Sequence, residues 1–172
     1  QRKYPNLMTM EAIRGFEFVT FEQANADQQA SHSAMMPFTR NVFDPMDFTP
    51  MALDRVNNRI KRQTTSSFEL ATAILFTSGI QHYAETPEGM AKIPNYVRDF
   101  IKGIPSIWED VKFIDGYPAK FAVLARKSGN RWYIAGINGE LNERKLTIPL
   151  EQIAKGKSWN LINDGEGNMS FT

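Results

Sequence analysis

The chain has 172 residues, no cysteine, and a formal net charge of +1 from 20 basic and 19 acidic side chains. That length suits one ordinary domain or two small ones, and 42% hydrophobic with 23% charged residues is a globular composition. The balanced charge gives no footprint for nucleic acid. The lack of cysteine excludes disulfides, zinc–thiolate sites and cysteine nucleophiles, and no apolar run approaches the roughly 20 residues that span a bilayer.

The opening Gln-Arg-Lys-Tyr-Pro-Asn shows no charged-then-apolar leader and reads as the middle of a loop, which predicts a piece of a longer polypeptide. Residues 5–10 are a short apolar run compatible with a buried strand. Residues 15–32 are polar, without clear periodicity, and predict a long loop of the kind that often carries function. Ser31 is placed to cap a short helix over 33–42 that Pro37 limits, and "FDPMDFTP" at 43–50 predicts a rigid loop or strand end. Arg59–Arg62 reads as a solvated basic helix face. Thr64–Ser67 supply cap residues for a mostly buried helix over 66–78 that stops at Gly79. Residues 80–84 suit a short strand. Thr86-Pro87-Glu88 begins a helix carrying Ile93, Tyr96, Val97, Phe100 and Ile101 at helical spacing, ended by Gly103 and Pro105.

Beyond Pro105 the pattern becomes strand-like. Runs at 111–114, 120–126, 132–138, 145–148 and 159–163 are short and rich in β-branched and aromatic residues, with a hairpin signal at Lys127–Asn130. The change of period places a boundary near residues 105–112, dividing the chain into 1–108 and 109–172. The β part, about 60 residues, is marginal alone and is expected to lean on the helical part. The first part holds too few strands to close a sheet and reads as the last units of a larger α/β layer.

Glu11 and Glu17 are the first chemical candidates. Six residues apart, they diverge on a helix and lie roughly 20 Å apart on a straight strand. A reversal at Arg14-Gly15, with Gly15 in a left-handed conformation, would bring them together at a strand end, where barrel enzymes place catalytic groups. The simpler alternative pairs Glu11 with Arg14 and leaves Glu17 in solvent.

The segments "RKYPNLMTMEAIRGFEF", "MMPFTRNVFDPMDFTP", "TTSSFELATAILFTSGIQHYAETPE" and "VKFIDG" resemble glycoside hydrolase family 97, in the family's order, and the likeness continues more loosely through "FAVLARKSGNRWYIAGING". The resemblance implies α/β plus all-β architecture: the last strand–helix units of a (β/α)8 barrel, then a small antiparallel β-sandwich-like domain. It implies an exo-acting α-glucosidase or α-galactosidase with calcium (Ca2+) in the site, and a periplasmic or extracellular location. Glu17 of the Arg-Gly-x-Glu motif would be the general acid. Glu11 of the Met-Thr-x-Glu motif would be a calcium ligand, with Glu17 also at the metal. An acid protonates the leaving glycosidic oxygen, and a hard cation binds hydroxyls or holds water. A cation beside Glu17 favours its ionised form, so burial against Phe16 or Phe18 is the expected compensation. The partner carboxylate and further calcium ligands would belong to the same polypeptide upstream of Gln1, leaving this piece inactive alone.

One departure is at Gln29-Ala-Ser-His32, where many members have Pro-Pro-Glu-His, so that Ser31 replaces a glutamate. The loop 19–29 also lacks the usual Trp. These departures favour the alternative, a non-catalytic carbohydrate-binding or interaction protein keeping the fold. His32 is a candidate for binding a sugar hydroxyl or for a structural hydrogen bond. Asp44 and Asp47 can cap backbone amides or face the sugar, and Asp47 is carried as a substrate-binding candidate. Arg40 is expected to anchor a carboxylate, Glu22 to be solvated, and His82 to be a satisfied core histidine in a strand. Trp108, Trp132 and Trp159 are expected to pack in the core.

Overall fold

Residues 3–11, 13–49, 51–54 and 59–172 are described by the computed structural model. The first part is helical: α1 (Phe16–Val19), α2 (Gln23–Met35), a 3-10 turn (Met36–Phe38), α3 (Arg40–Phe43), α4 (Ser66–Leu75), α5 (Pro87–Lys92) and α6 (Asn95–Lys102). The polar stretch expected as a loop is therefore α1 and most of α2. The face α2 buries consists of Ala26, Gln29, Ser33 and Ala34. These are small or polar, so hydrophobic periodicity overlooks them, while Ala and Gln favour helix intrinsically. Ser31 lies inside α2 instead of capping a later helix, and its hydroxyl donates to the Gln28 carbonyl at 3.1 Å. Pro37 occupies the 3-10 turn.

Helix α4 begins where its cap residues indicate: the Thr65 hydroxyl accepts from the Phe68 N–H at 3.2 Å. Replacing Thr65 with Ala is expected to cost about 1 kcal/mol, read as an earlier thermal unfolding transition. The helix ends at Leu75, short of the expected 78. There the buried Arg126 guanidinium donates to the Leu75 carbonyl at 2.8 Å, a cation on an otherwise unpaired helix end. Thr86 caps α5 with Pro87 in its first turn, as expected. The helix expected to continue through Ile93 is broken, because Pro94 forces Ile93 extended (φ −76°, ψ 153°) and α6 starts afresh at Asn95.

Residues 5–10 and 80–84 form no strand. The first shows a single parallel bridge, Met10 to Met46, within an otherwise exposed stretch. In the second, Gln81 donates its amide to the Ala73 carbonyl at 2.9 Å, tying the chain to α4 by a side chain. Residues 44–49 are irregular as expected, apart from the bridge at Met46; Phe43 ends α3, and Pro50 lies outside the described residues.

The strand-like part forms β1 (Asp110–Tyr117), β2 (Phe121–Ser128) and β3 (Arg131–Asn138), one antiparallel sheet in the order β1-β2-β3. Gly129, at φ 55°, opens the two-residue turn between Ser128 and Arg131, as the Ser-Gly-Asn signal predicts. The other expected strands, at 145–148 and 159–163, do not form. Pro149 ends the first run at the short helix α7 (Leu150–Ile153), and the second leads only to an Asp164–Phe171 bridge.

Ala122 and Leu124 of β2, with Ala135 and Ile137 of β3, share one hydrophobic core with Met46, Phe48, Phe68, Ile74, Leu75 and Phe76. The sheet thus leans on the helical part, as a β unit of this size must. Trp108 packs against this core, edge-on to Tyr133 at 5.4 Å. Trp132 lies outside it under Lys112, whose ammonium sits 4.6 Å from the ring centre, and Trp159 is half-buried.

Candidate active site

The Met10–Met46 bridge organises the site. The Asp47 N–H donates to the Met10 carbonyl at 2.9 Å. Arg40 clamps the same point: Nη2 donates to the Met10 carbonyl at 2.8 Å and to Pro45 at 3.3 Å, and Nη1 to Asp44 at 3.0 Å. Arg40 therefore holds backbone carbonyls, where a carboxylate partner was expected. The residues following each side of the bridge, Glu11 and Asp47, emerge on adjacent segments. Glu11 is exposed and Asp47 half-buried, and neither carboxylate has a hydrogen bond or ion pair among the described residues. Asp47 is tied through its backbone and does not cap with its side chain.

Glu17 lies in the single turn of α1 and is exposed, while its carbonyl accepts from the Thr20 hydroxyl at 2.7 Å. The side chains of Phe16 and Phe18, expected to shield it, lie outside the described ones. Gly15 is buried but not left-handed, so the reversal at Arg14-Gly15 does not use positive φ. The Glu11–Arg14 pair does not form either, because Arg14 Nη1 donates to Asn25 Oδ1 at 3.0 Å.

Arg14 and His32 meet at a cavity of about 240 Å³ whose wall also includes Gly15, Val19, Gln29 and Phe48. Burial pushes the His32 pKa below its ordinary value, a hydrogen bond with the Arg14 backbone opposes this, and the Arg14 charge adds to the lowering. Among the described residues His32 Nε2 has no partner, which leaves an imidazole nitrogen for a hydroxyl or a water. The backbone bridge thus brings the segments carrying Glu11 and Asp47 alongside each other, and Arg14 and His32 line one cavity. Among the described residues no group of three or more His, Asp or Glu is placed to hold a metal ion. His82 is exposed in an irregular segment, not in a core strand, and Glu22 is exposed at the start of α2, as expected.

Sequence reading missed Glu69. It is fully buried on α4, with Oε1 accepting from the Thr64 hydroxyl and from Gln29 Nε2 at 2.7 Å, and Oε2 without a partner. Burial raises its pKa to about 7, against hydrogen bonds from Thr64 and Gln29 and the Arg62 charge. A glutamate in the run Phe68–Phe76, otherwise apolar but for Thr72, was the available signal.

Residues 107–170 match the family model described as "Glycosyl-hydrolase 97 C-terminal, oligomerisation". Over 136 residues the chain is 40% identical to a probable retaining alpha-galactosidase of Streptomyces bingchenggensis, covering 79% of this chain and 20% of the relative. It is 30% identical over 144 residues to a retaining alpha-galactosidase of Bacteroides thetaiotaomicron, covering 79% and 22%. Among solved structures, a beta-arabinopyranosidase matches with TM-score 0.71 and 35% identity over 76% of this chain and 22% of its own. A family 97 enzyme from a Pseudoalteromonas species, in complex with panose, matches with TM-score 0.61 and 28% identity over 78% and 22%. The chain spans about a fifth of the length of the curated relatives it matches. These relatives are glycoside hydrolases. The chain belongs with glycoside hydrolase family 97 and corresponds to that family's C-terminal portion.

Proposed function

We propose that the polypeptide carrying this chain is a calcium-dependent, exo-acting α-glycosidase, with α-galactosides as its first substrate class and α-glucosides second. Residues 1–108 are then the last units of its (β/α)8 barrel and 109–172 its C-terminal β domain. The observation that carries the reading is the parallel Met10–Met46 bridge, which brings the segments carrying Glu11 and Asp47 alongside each other, with Glu17 six residues on from Glu11 in α1. Parallel neighbours joined through a helix are the repeating unit of such a barrel. The names of the two curated relatives support the galactoside preference, and the arabinopyranosidase likeness supports a site open to related pyranoses.

In this reading Glu17 gives its proton to the glycosidic oxygen. Glu11, with Glu17 near the ion, offers a hard oxygen ligand suited to Ca2+. Calcium takes six to eight oxygens, more than these residues hold, so upstream residues of the same polypeptide complete the shell and supply the second carboxylate. His32 and Asp47 contact substrate hydroxyls. Secretion to the periplasm or beyond the cell goes with this class. The oligomerisation named for the matching family model is carried onto residues 107–170 as part of the proposal.

Ser31 favours the second reading, a carbohydrate-binding protein without turnover: its hydroxyl is spent on the Gln28 carbonyl, where a glutamate stands in many members. The deciding experiment assays the full-length protein on 4-nitrophenyl α-galactoside and a natural α-galactosyl disaccharide, with calcium and with chelator. Turnover that needs calcium is expected. No hydrolysis of any α-galactoside or α-glucoside under either condition would move the assignment to the binding protein.

A further inference from the structure

The cavity shared by Arg14 and His32 also has Gln29 in its wall, and Gln29 is 5% exposed. One end of that amide is committed. Its Nε2 donates to Glu69 Oε1 at 2.7 Å, and the same oxygen accepts from the Thr64 hydroxyl. An oxygen that accepts at this point draws the NH2 end of the amide, so the carbonyl end is what Gln29 has left. Oε1 has no partner among the described residues. His32 is held in a similar way. Its ring donates to the Arg14 backbone, and Nε2 is the nitrogen without a partner among the described residues. Burial keeps the ring neutral, which makes Nε2 an acceptor.

Two bare acceptors and one guanidinium narrow the choice of occupant. An anion would be repelled by the acceptors, a cation by Arg14, and an apolar group would leave Gln29 and His32 unsatisfied. Neighbouring hydroxyls suit all three. Each can donate to one acceptor, and their oxygens can accept from Arg14, one N–H of which is given to Asn25 at 3.0 Å. Val19 and Phe48, both buried, add apolar wall for the C–H groups of a ring. About 240 Å³ is below the roughly 300–1,000 Å³ of drug-sized sites, so the space suits one sugar ring and no longer chain.

We propose that this cavity takes two neighbouring hydroxyls of a single sugar ring, that Gln29 is a specificity-determining residue accepting from one of them, and that Glu69 is the positioning residue that fixes the Gln29 amide. His32 accepts from the second hydroxyl. The inference rests on the glycosidase reading for the sugar, and on the orphaned acceptors for the place.

The test uses full-length protein and the α-glycoside it hydrolyses, beside the 3-, 4- and 6-deoxy analogues of that sugar. Affinities for the parent free sugar and its deoxy forms are measured by calorimetry on the same samples. In wild type, loss of one particular hydroxyl should weaken kcat/KM and affinity about tenfold. Gln29→Leu should weaken the parent sugar about as much and be indifferent to that hydroxyl. Glu69→Gln keeps an acceptor for the amide and should discriminate as wild type does, whereas Glu69→Leu, with its fold checked by circular dichroism, should not. Gln29→Leu that depresses every sugar alike, or none, overturns the proposal, and discrimination retained in Glu69→Leu overturns the positioning role. Turnover without any effect of Gln29 on discrimination sinks only this inference. Discriminating affinity without turnover sinks only the glycosidase reading, and a protein that neither binds nor hydrolyses these sugars overturns both.

Discussion

Glu69→Gln is expected to abolish most of the pH dependence of local stability around α4. The Glu69 side chain is fully buried where α2, the segment at 62–64 and α4 meet. Two side-chain donors reach Oε1, the Ala52 backbone adds a further hydrogen bond that favours the charged form, and Oε2 has no close partner among the described residues. The nearby cation does not neutralise it directly: Arg62 is committed to the Ala52 carbonyl, to Ser66 Oγ at 2.9 Å and to the Asn168 carbonyl at 3.1 Å. Desolvation therefore wins, and the carboxyl titrates near 7 in place of 4.5. Between those values the folded protein keeps a proton that the unfolded chain releases. Stability accordingly falls as pH rises from 4.5 towards 7, by about 3 kcal/mol in all, and levels off above. Glutamine has the same shape and no charge at any pH. Hydrogen exchange of the α4 amides at pH 5 and pH 8, corrected for intrinsic rates, measures this in the full-length protein without assuming two-state unfolding. Wild type should lose protection about a hundredfold, and Glu69→Gln very little. A wild type equally protected at both pH values would show that water or a rearranged Arg62 compensates the buried charge.

That glutamate also shows where sequence reading runs out. Helix α4, the start of α5 and the β2–β3 hairpin were legible, because each is fixed by local chemistry: Thr65 and Thr86 as caps, Pro87 in a first turn, and Gly129 at positive φ. Helix α2 was not, because what it buries is Ala26, Gln29, Ser33 and Ala34, and its place is set by partners distant in sequence, Glu69 above all. The expected strands at 145–148 and 159–163 carried suitable residues and found no neighbour, and a strand exists only when paired. At the site, the types of residue were readable and their arrangement was not. The segments carrying Glu11 and Asp47 are joined through a backbone bridge and an Arg40 clamp, neither of which leaves a periodic signal. Arg14 turning to Asn25 in place of Glu11 is a choice between two short-range partners that spacing alone leaves open.

The largest effect on activity is expected from Glu17→Gln in the full-length protein. If Glu17 protonates the leaving oxygen, its amide analogue can no longer do so, and kcat on a natural α-galactosyl disaccharide should fall by about 10² to 10⁴. The aryl galactoside should lose far less, since nitrophenolate leaves without help. This difference between substrates is the diagnostic, because a variant that merely distorted the site would depress both together. Glu11→Gln separates the other role. It should weaken calcium, so that excess metal recovers part of the rate on both substrates, whereas no amount of calcium restores disaccharide hydrolysis by Glu17→Gln. The exposure of Glu17 in this chain sharpens the test. In the proposed role Glu17 would have to keep its proton beside a cation that favours the carboxylate, which takes more shielding than the described residues give it. Equal losses on the two substrates would assign Glu17 to the metal or to structure, and the proton donor would have to be sought upstream.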